Sequence, residues 1–225
     1  MIYDGRVDTA TIAGLLRPFA EPNPAQLEQT AAYLNLLLKW NAKVNLTSVR
    51  DPRQMITRHF GESYFAAREL LSSEPAATVI DLGSGAGFPG LPLAMFDPAV
   101  QVTLIESHGK KVAFLNEVIA ALKLGNVRVV RQRAEDYAGS ADLVTMRAVE
   151  RFEAAARIAI RLVRPGGRLA LMIGASQVGA GKQAVGELAW SSPREIPGSH
   201  SRVLLVGTRP RGNGPDKNQP DYRGN

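Results

Sequence analysis

The chain has 225 residues, of which 45% are hydrophobic and 21% charged, with 27 Lys+Arg against 21 Asp+Glu and no cysteine. That length suits one domain with an extension, or two small ones, burying roughly 70% of the unfolded surface. Without cysteine there are no disulfides, no thiolate metal sites and no cysteine nucleophile, and a reducing, cytoplasmic setting is expected. No run of about 18 apolar residues and no signal-like segment occurs, so neither a membrane span nor secretion is indicated.

Up to residue 75 the apolar positions follow helical spacing. Leu27, Ala31, Leu34 and Leu38 form one stripe, and helices are expected near 9–20, 24–42 and 52–72. Asn23-Pro24 and Asp51-Pro52 are start signals, a capping side chain followed by proline in the first turn. From residue 76 short β-branched runs alternate with amphipathic helices: 78–80, 102–105, 127–130, 143–146, 169–173 and 203–206. This alternation predicts an α/β fold, a parallel sheet with helices on both faces. Val112, Leu115, Ile119 and Leu122 mark the helix after the second strand, and Pro165-Gly166-Gly167 ends the helix before the fifth. The expected organisation is a helical extension over 1–75, a ligand-binding domain over 76–208 and a disordered basic tail over 209–225. Charge excess in these segments is 0, +4 and +2. A basic balance suits a polyanion such as RNA through counterion release, and equally a solvated surface.

The first strand runs into Asp81-Leu82-Gly83-Ser84-Gly85-Ala86-Gly87-Phe88-Pro89-Gly90 and then a helix. Ligands of open α/β sheets bind at such strand-to-helix turns, where glycines admit a close approach to the backbone. A dinucleotide fingerprint needs glycine where Phe88 stands, and the Asp81 carboxylate opposes a pyrophosphate. The same carboxylate attracts a ligand bearing an ammonium and a sulfonium, as S-adenosyl-L-methionine does. Glu106, ending the second strand, is placed for ribose hydroxyls, and Ala134-Glu135-Asp136 follows the third strand within reach of an adenine. Two lookalikes fail. Gly179-Ala180-Gly181-Lys182 lacks the Ser/Thr and the first glycine of a phosphate loop and reads as a flexible turn. His59, His108 and His200 have no metal-ligand spacing, so no metal is expected. The acceptor stays open at this point: RNA, a small molecule, or none in a binding module, with a nicotinamide enzyme opposed by Asp81 and Phe88.

Lys39-Trp40-Asn41, Asn45-Leu46-Thr47-Ser48-Val49-Arg50-Asp51-Pro52, Arg58-His59, residues 81–92, Glu106-Ser107 with Lys110-Lys111, and Arg147-Ala148 together resemble the RsmG (GidB) type of bacterial small-subunit rRNA guanine methyltransferases. The resemblance spans roughly residues 33–150 and fades after about 175. Asn45-Leu46-Thr47 combined with Gly87-Phe88-Pro89-Gly90 carries its specificity. It implies a class I methyltransferase fold with an antiparallel last strand, S-adenosyl-L-methionine as donor, and methylation of nitrogen 7 of a guanosine in 16S rRNA. It also implies that Gly83, Phe88, Ala134, Glu135 and Arg147 line the cofactor pocket, joined on the reading above by Asp81, Gly85, Gly87 and Glu106.

Nitrogen 7 carries a lone pair and no proton, so no general base is required, and alignment supplies the catalysis. The turn Thr145-Met146-Arg147-Ala148 stands where amine methyltransferases carry an Asn/Asp-Pro-Pro-aromatic sequence. Arg147 is the candidate catalytic residue, facing guanine O6, a phosphate or the cofactor carboxylate. Asn45, Arg58, His59, Lys110 and Lys111 are candidates for RNA contact, Trp40 is expected in the core, and the chain is expected to be a monomer.

Overall fold

A computed structural model describes residues 7–211 apart from Ser73, Val149, Glu150 and His200. The opening helices form where the start signals predict. In α1 (Thr9–Leu16) Asp8 accepts from the Thr11 N–H at 2.8 Å, and in α2 (Pro24–Asn41) Asn23 and Gln26 exchange side-chain bonds with each other's backbone as a capping box. Asp51 caps α3 (Pro52–Met55), which runs through a π-helical stretch, Ile56–Gly61, into α4 (Glu62–Leu71).

The buried face of α2 is rotated from the expected Leu27/Ala31/Leu34/Leu38 stripe. Gln26, Thr30, Tyr33, Leu34, Leu37 and Asn41 are buried, while Leu27, Ala31 and Leu38 are half-buried. Partners explain the rotation. Gln26 Nε2 donates to the carbonyls of Met95 and Phe96, Thr30 Oγ1 bonds Gln26 O and Tyr64 Oη, and Tyr33 Oη donates to Ala86 O. Buried polar groups with such partners are tolerated, and here they tie the extension to the domain behind it.

That domain is one sheet built from β1 (Thr78–Leu82), β2 (Gln101–Ile105), β3 (Val127–Val130), β4 (Ala141–Arg147), β5 (Val163–Gly174), β6 (Ala189–Trp190), β7 (Arg194–Glu195) and β8 (Arg202–Thr208). Its order is β3-β2-β1-β4-β5-β8-β6, with β7 also on β8. The first five strands are parallel, and β8 runs antiparallel to β5, as expected for the last strand. One face packs against α5 (Gly90–Phe96), α6 (Gly109–Leu122) and the N-terminal helices, and the other against α7 (Phe152–Leu162) and α8 (Val178–Ala184). Between β3 and β4 there is only a 3-10 turn, Ala134–Asp136.

Three more sequence expectations need correction. Pro165-Gly166-Gly167 does not end the helix before the fifth strand, because α7 stops at Leu162 and these residues lie inside β5. Gly179-Ala180-Gly181-Lys182 is helical, inside α8, because glycine at 181 lets the helix approach the Phe152 ring, which a Cβ would meet at 3.3 Å. Residue 209 is not the start of a free tail. Arg209 exchanges backbone bonds with Gly166 and Gly167 and donates from Nη1 to Val163 O at 2.6 Å. Residues 212–225 of the expected tail lie outside the described residues, as does His200. Among the described residues no helix is long and apolar enough to cross a membrane, and no cluster of His, Asp or Glu is placed to hold a metal.

Candidate active site at the carboxyl ends of the strands

The glycine loop leaves β1 and crosses the end of β2. Gly83 and Ser84 N–H groups donate to Ile105 O, and Gly83, Gly85 and Gly87 take φ of +68°, +57° and +89°. Such values favour glycine, and at Gly87 a Cβ would also sit 2.5 Å from Tyr33 Oη and Leu91 Cδ1. At Gly85 it would meet only Gly83 O, at 3.8 Å, so this residue lies open to the crevice.

Asp81 lies beneath the loop, 1% exposed. Its Oδ1 accepts from Thr145 Oγ1 at 2.8 Å and its Oδ2 from the Gly90 N–H at 3.3 Å. The carboxylate thus pins β1, β4 and the start of α5 together. Burial raises its pKa to about 6, against the lowering effect of its hydrogen bonds. Glu106, 5% exposed at the end of β2, accepts from the Gly85 N–H (3.0 Å) and the His108 N–H (2.8 Å). It closes the other side of the crevice. Lys110 and Lys111 follow in the first turn of α6, the former exposed and the latter half-buried.

Phe88 turns inward from the loop. It stacks on Tyr33 (centroids 5.2 Å, planes 2° apart) and on His59 (5.1 Å), with Phe60 edge-on at 5.0 Å. The extension therefore reaches the loop through aromatic packing. His59 sits in the π-helical stretch, a form that recurs at functional sites. Its Nδ1 lies 3.0 Å from Arg147 Nη2 and its Nε2 2.7 Å from Thr47 Oγ1. The guanidinium has no acceptor, so Nδ1 is the acceptor and Nε2 carries the proton. Burial, then the charges of Arg147 and Arg58, push the His59 pKa down to about 3, in keeping with that neutral tautomer. Thr47 is itself held by Asn41 Oδ1, which takes the Leu46 and Thr47 N–H groups at 3.0 Å. The Lys39-Trp40-Asn41 and Asn45-Leu46-Thr47 motifs are thus two halves of one support beneath His59.

Arg147, at the end of β4, also donates to the carbonyls of Arg58 (2.7 Å) and His59 (3.5 Å) and lies 3.5 Å from Glu62 Oε2. The next residue, Ala148, has φ +49°, strain of a kind that collects at functional sites. Beyond it a cavity of about 200 Å³ opens between the ends of β4 and β5 and α4.

The fold thus gathers Asp81, Gly83, Gly85, Gly87, Phe88 and Glu106 at the crevice, and links Arg58, His59 and Arg147 to it through Phe88. Ala134 and Glu135 sit after β3, with Glu135 exposed, its side chain 3.5 Å from Arg133 and its carbonyl accepting from Arg161. Asn45 is exposed and accepts from Arg50. Sequence reasoning missed Tyr33, Glu62 and Arg202. The cue for Glu62 was an acid three residues after His59 on a helix otherwise rich in apolar residues.

The crevice fits S-adenosylmethionine: an open glycine cradle flanked by one buried carboxylate below and another beside it. The family model for rRNA small subunit methyltransferase G matches residues 26–192. The ribosomal RNA small subunit methyltransferase G of Roseiflexus castenholzii is 41% identical over 194 residues, covering 80% of this chain and 82% of the relative. That of Xanthomonas euvesicatoria pv. vesicatoria is 42% identical over 185 residues, covering 79% and 84%. Among solved structures, a magnesium protoporphyrin IX methyltransferase from Synechocystis PCC 6803 with bound S-adenosylmethionine superposes with TM-score 0.61. It is 16% identical, covers 79% of this chain and 97% of its own, and shares the fold. The chain belongs to the GidB family of S-adenosylmethionine-dependent methyltransferases.

Proposed function

We propose that this protein transfers a methyl group to nitrogen 7 of a guanosine in 16S rRNA, acting as a monomer in the cytoplasm on the free rRNA or the small ribosomal subunit. When bound, S-adenosylmethionine would supply an electrophilic methyl group that a nitrogen lone pair can take in line, the methyl–sulfur bond breaking to leave S-adenosyl-L-homocysteine, with no covalent enzyme intermediate and no proton to remove.

In this reading Gly83, Gly85 and Gly87 form the cradle, and Glu106 takes the ribose hydroxyls. Asp81 supplies the field for the cationic end, while Ala134 and Glu135 flank the adenine. Phe88 holds the loop through its stacked rings. Arg147 positions the acceptor from the end of β4, its guanidinium fixed by the Arg58 carbonyl and the neutral His59 ring. Residues 1–75 serve as a packed extension and 76–208 as the methyltransferase domain, with Lys110 and Lys111 meeting phosphates.

The observation that carries the reading is the chain of contacts from the glycine loop through Phe88, His59 and Arg147 to a second cavity past β4. In this reading the crevice takes the cofactor and the cavity the acceptor, and the contacts that join the two support it. Methyl-labelled S-adenosylmethionine incubated with unmodified small subunits, or with their stripped 16S rRNA, should yield labelled 7-methylguanosine on nucleoside mass spectrometry. Cofactor binding without label in either RNA would refute the reading.

A further inference from the structure

The cavity past β4 is lined by Arg58, Glu62, Arg147, Phe152, Met172 and Arg202 among others. Glu62 is the anomaly there. It is 1% exposed, at the first turn of α4, with Arg147 Nη2 3.5 Å from Oε2 and Arg202 Nη2 2.6 Å from Oε1. Two guanidinium groups thus face one buried carboxylate, the charge pairing that burial calls for. Yet Arg147 directs its hydrogen bonds to Arg58 O and to His59, and Arg202 meets Oε1 outside hydrogen-bond geometry. Glu62 Oε1 and Arg202 Nε are left with no hydrogen-bond partner. Buried polar atoms are nearly always hydrogen-bonded in native proteins, so a carboxylate oxygen held only by an ion pair, on a residue that lines a cavity, points to a donor from outside the chain.

We propose that Glu62 reads the target base, its two oxygens accepting from N1–H and the exocyclic N2 amine of a guanine flipped into this cavity. The inference rests on the acceptor assigned under Proposed function. A carboxylate presents two acceptors side by side and no donor. Among the four RNA bases only guanine presents two adjacent donors on its Watson–Crick edge. Adenine and cytosine set one donor group beside acceptors, and uracil sets one donor between two acceptors. Phe152 and Met172 offer apolar walls to the faces of a planar ring, as flipped bases require. Nitrogen 7 lies on the opposite edge of guanine from N1 and N2, so reading by Glu62 leaves the reacting edge free.

Inosine tests this, because it keeps nitrogen 7 and N1–H and lacks only the N2 amine. 16S rRNA transcribed with inosine sparsely replacing guanosine is methylated by the wild-type protein and digested. The ratio of 7-methylinosine to 7-methylguanosine is then compared with the inosine-to-guanosine ratio of the RNA. Losing one hydrogen bond to a charged group should deplete 7-methylinosine roughly tenfold or more. The Glu62→Gln variant should bring that ratio towards the RNA's own, with cofactor affinity by calorimetry unchanged. Undiminished 7-methylinosine from the wild type, or full discrimination retained by the variant, overturns the role of Glu62 while leaving 7-methylguanosine as product. Failure to form either 7-methylpurine, with cofactor bound, overturns the acceptor reading instead. If the variant does not fold, the wild-type ratio alone decides.

Discussion

Replacing Asp81 with asparagine should stabilise the cofactor-free protein while weakening its hold on the cofactor. The side chain is buried, and its pKa stands at about 6 against 3.8 for an ordinary aspartate. A shift of about two units corresponds to roughly 3 kcal/mol between the protonation states. The sign follows from the direction. The folded state binds its proton more tightly than the unfolded one, so the stability from this group is fully present below pH 3.8 and lost as pH rises through about 6. At pH 7 the wild type bears the whole penalty of a buried carboxylate. The Asp81→Asn variant does not, but its amide cannot accept from both Thr145 Oγ1 and the Gly90 N–H, a loss of about 1 kcal/mol.

The expected balance is a variant more stable than wild type by about 2 kcal/mol at pH 7, the difference passing through zero between about pH 5 and 4 and ending about 1 kcal/mol in favour of wild type at lower pH, where the wild-type side chain is itself neutral and only the lost hydrogen bond remains. Urea denaturation of both proteins across this range reads it, since every other titrating group is common to the pair. In return the variant gives up the negative charge expected to attract the cationic end of the cofactor; at an effective dielectric near 20 two unit charges ~4 Å apart interact by roughly 4 kcal/mol, and by less at greater separation. Calorimetric affinity for S-adenosylmethionine should therefore fall at least tenfold. A variant less stable than wild type at pH 7, or a difference that ignores pH, would refute the reasoning.

Other consequences concern the loop, the ring beside it and the basic turn of α6. His59, with its pKa down at about 3, should stay neutral in the folded protein, and ¹⁵N NMR should find Nε2 protonated and no titration near 6.5. Its depressed pKa makes a contribution to stability present above pH 6.5 and lost as pH falls towards 3, the reverse of Asp81. The Gly87→Ala variant combines φ +89° with a Cβ against Tyr33 and Leu91, and should lose roughly 3 kcal/mol in urea denaturation. The Gly85→Ala variant, with open space around its Cβ, should lose only the roughly 1–2 kcal/mol that an alanine costs at φ +57°, and should lose cofactor binding by calorimetry. Equal stability losses for the two alanines would show that the loop is packed differently. Replacing Lys110 and Lys111 together by alanine should lower the salt slope of rRNA binding by about 0.7–0.9 for each phosphate the two lysines neutralise, with cofactor affinity unmoved.

The parts of the fold that were legible in the sequence are those set by neighbouring residues. Asn23-Pro24 and Asp51-Pro52 start helices because a capping side chain and a fixed φ act within one turn. The six β-branched runs became strands, and Gly83, Gly85 and Gly87 marked a turn that needs positive φ. The face of α2 was not legible. Gln26, Thr30 and Tyr33 are polar or amphipathic, and what buries them is a set of acceptors and rings on α4, α5 and the glycine loop, 34 to 70 residues away. Glu62 and Arg202 are likewise 140 positions apart and meet only because β8 inserts antiparallel beside β5.

This separates two kinds of site residue by what they touch. Asn41, Thr47, His59 and Arg147 form one hydrogen-bonded series from α2 through the π-helical stretch to β4, in which both His59 ring nitrogens and the Asn41 Oδ1 are used within the protein. Such residues can orient an acceptor and keep a loop rigid, and the His59 ring has no nitrogen left to bind RNA directly. Buried atoms without a hydrogen bond lie one step further on, at Glu62, three residues after His59, and at Arg202, which no local pattern marks. On the proposed role of Glu62, selectivity for the base lies in the helix behind the motif, and the motif contributes the stiffness that holds the loop and the cavity in fixed relation.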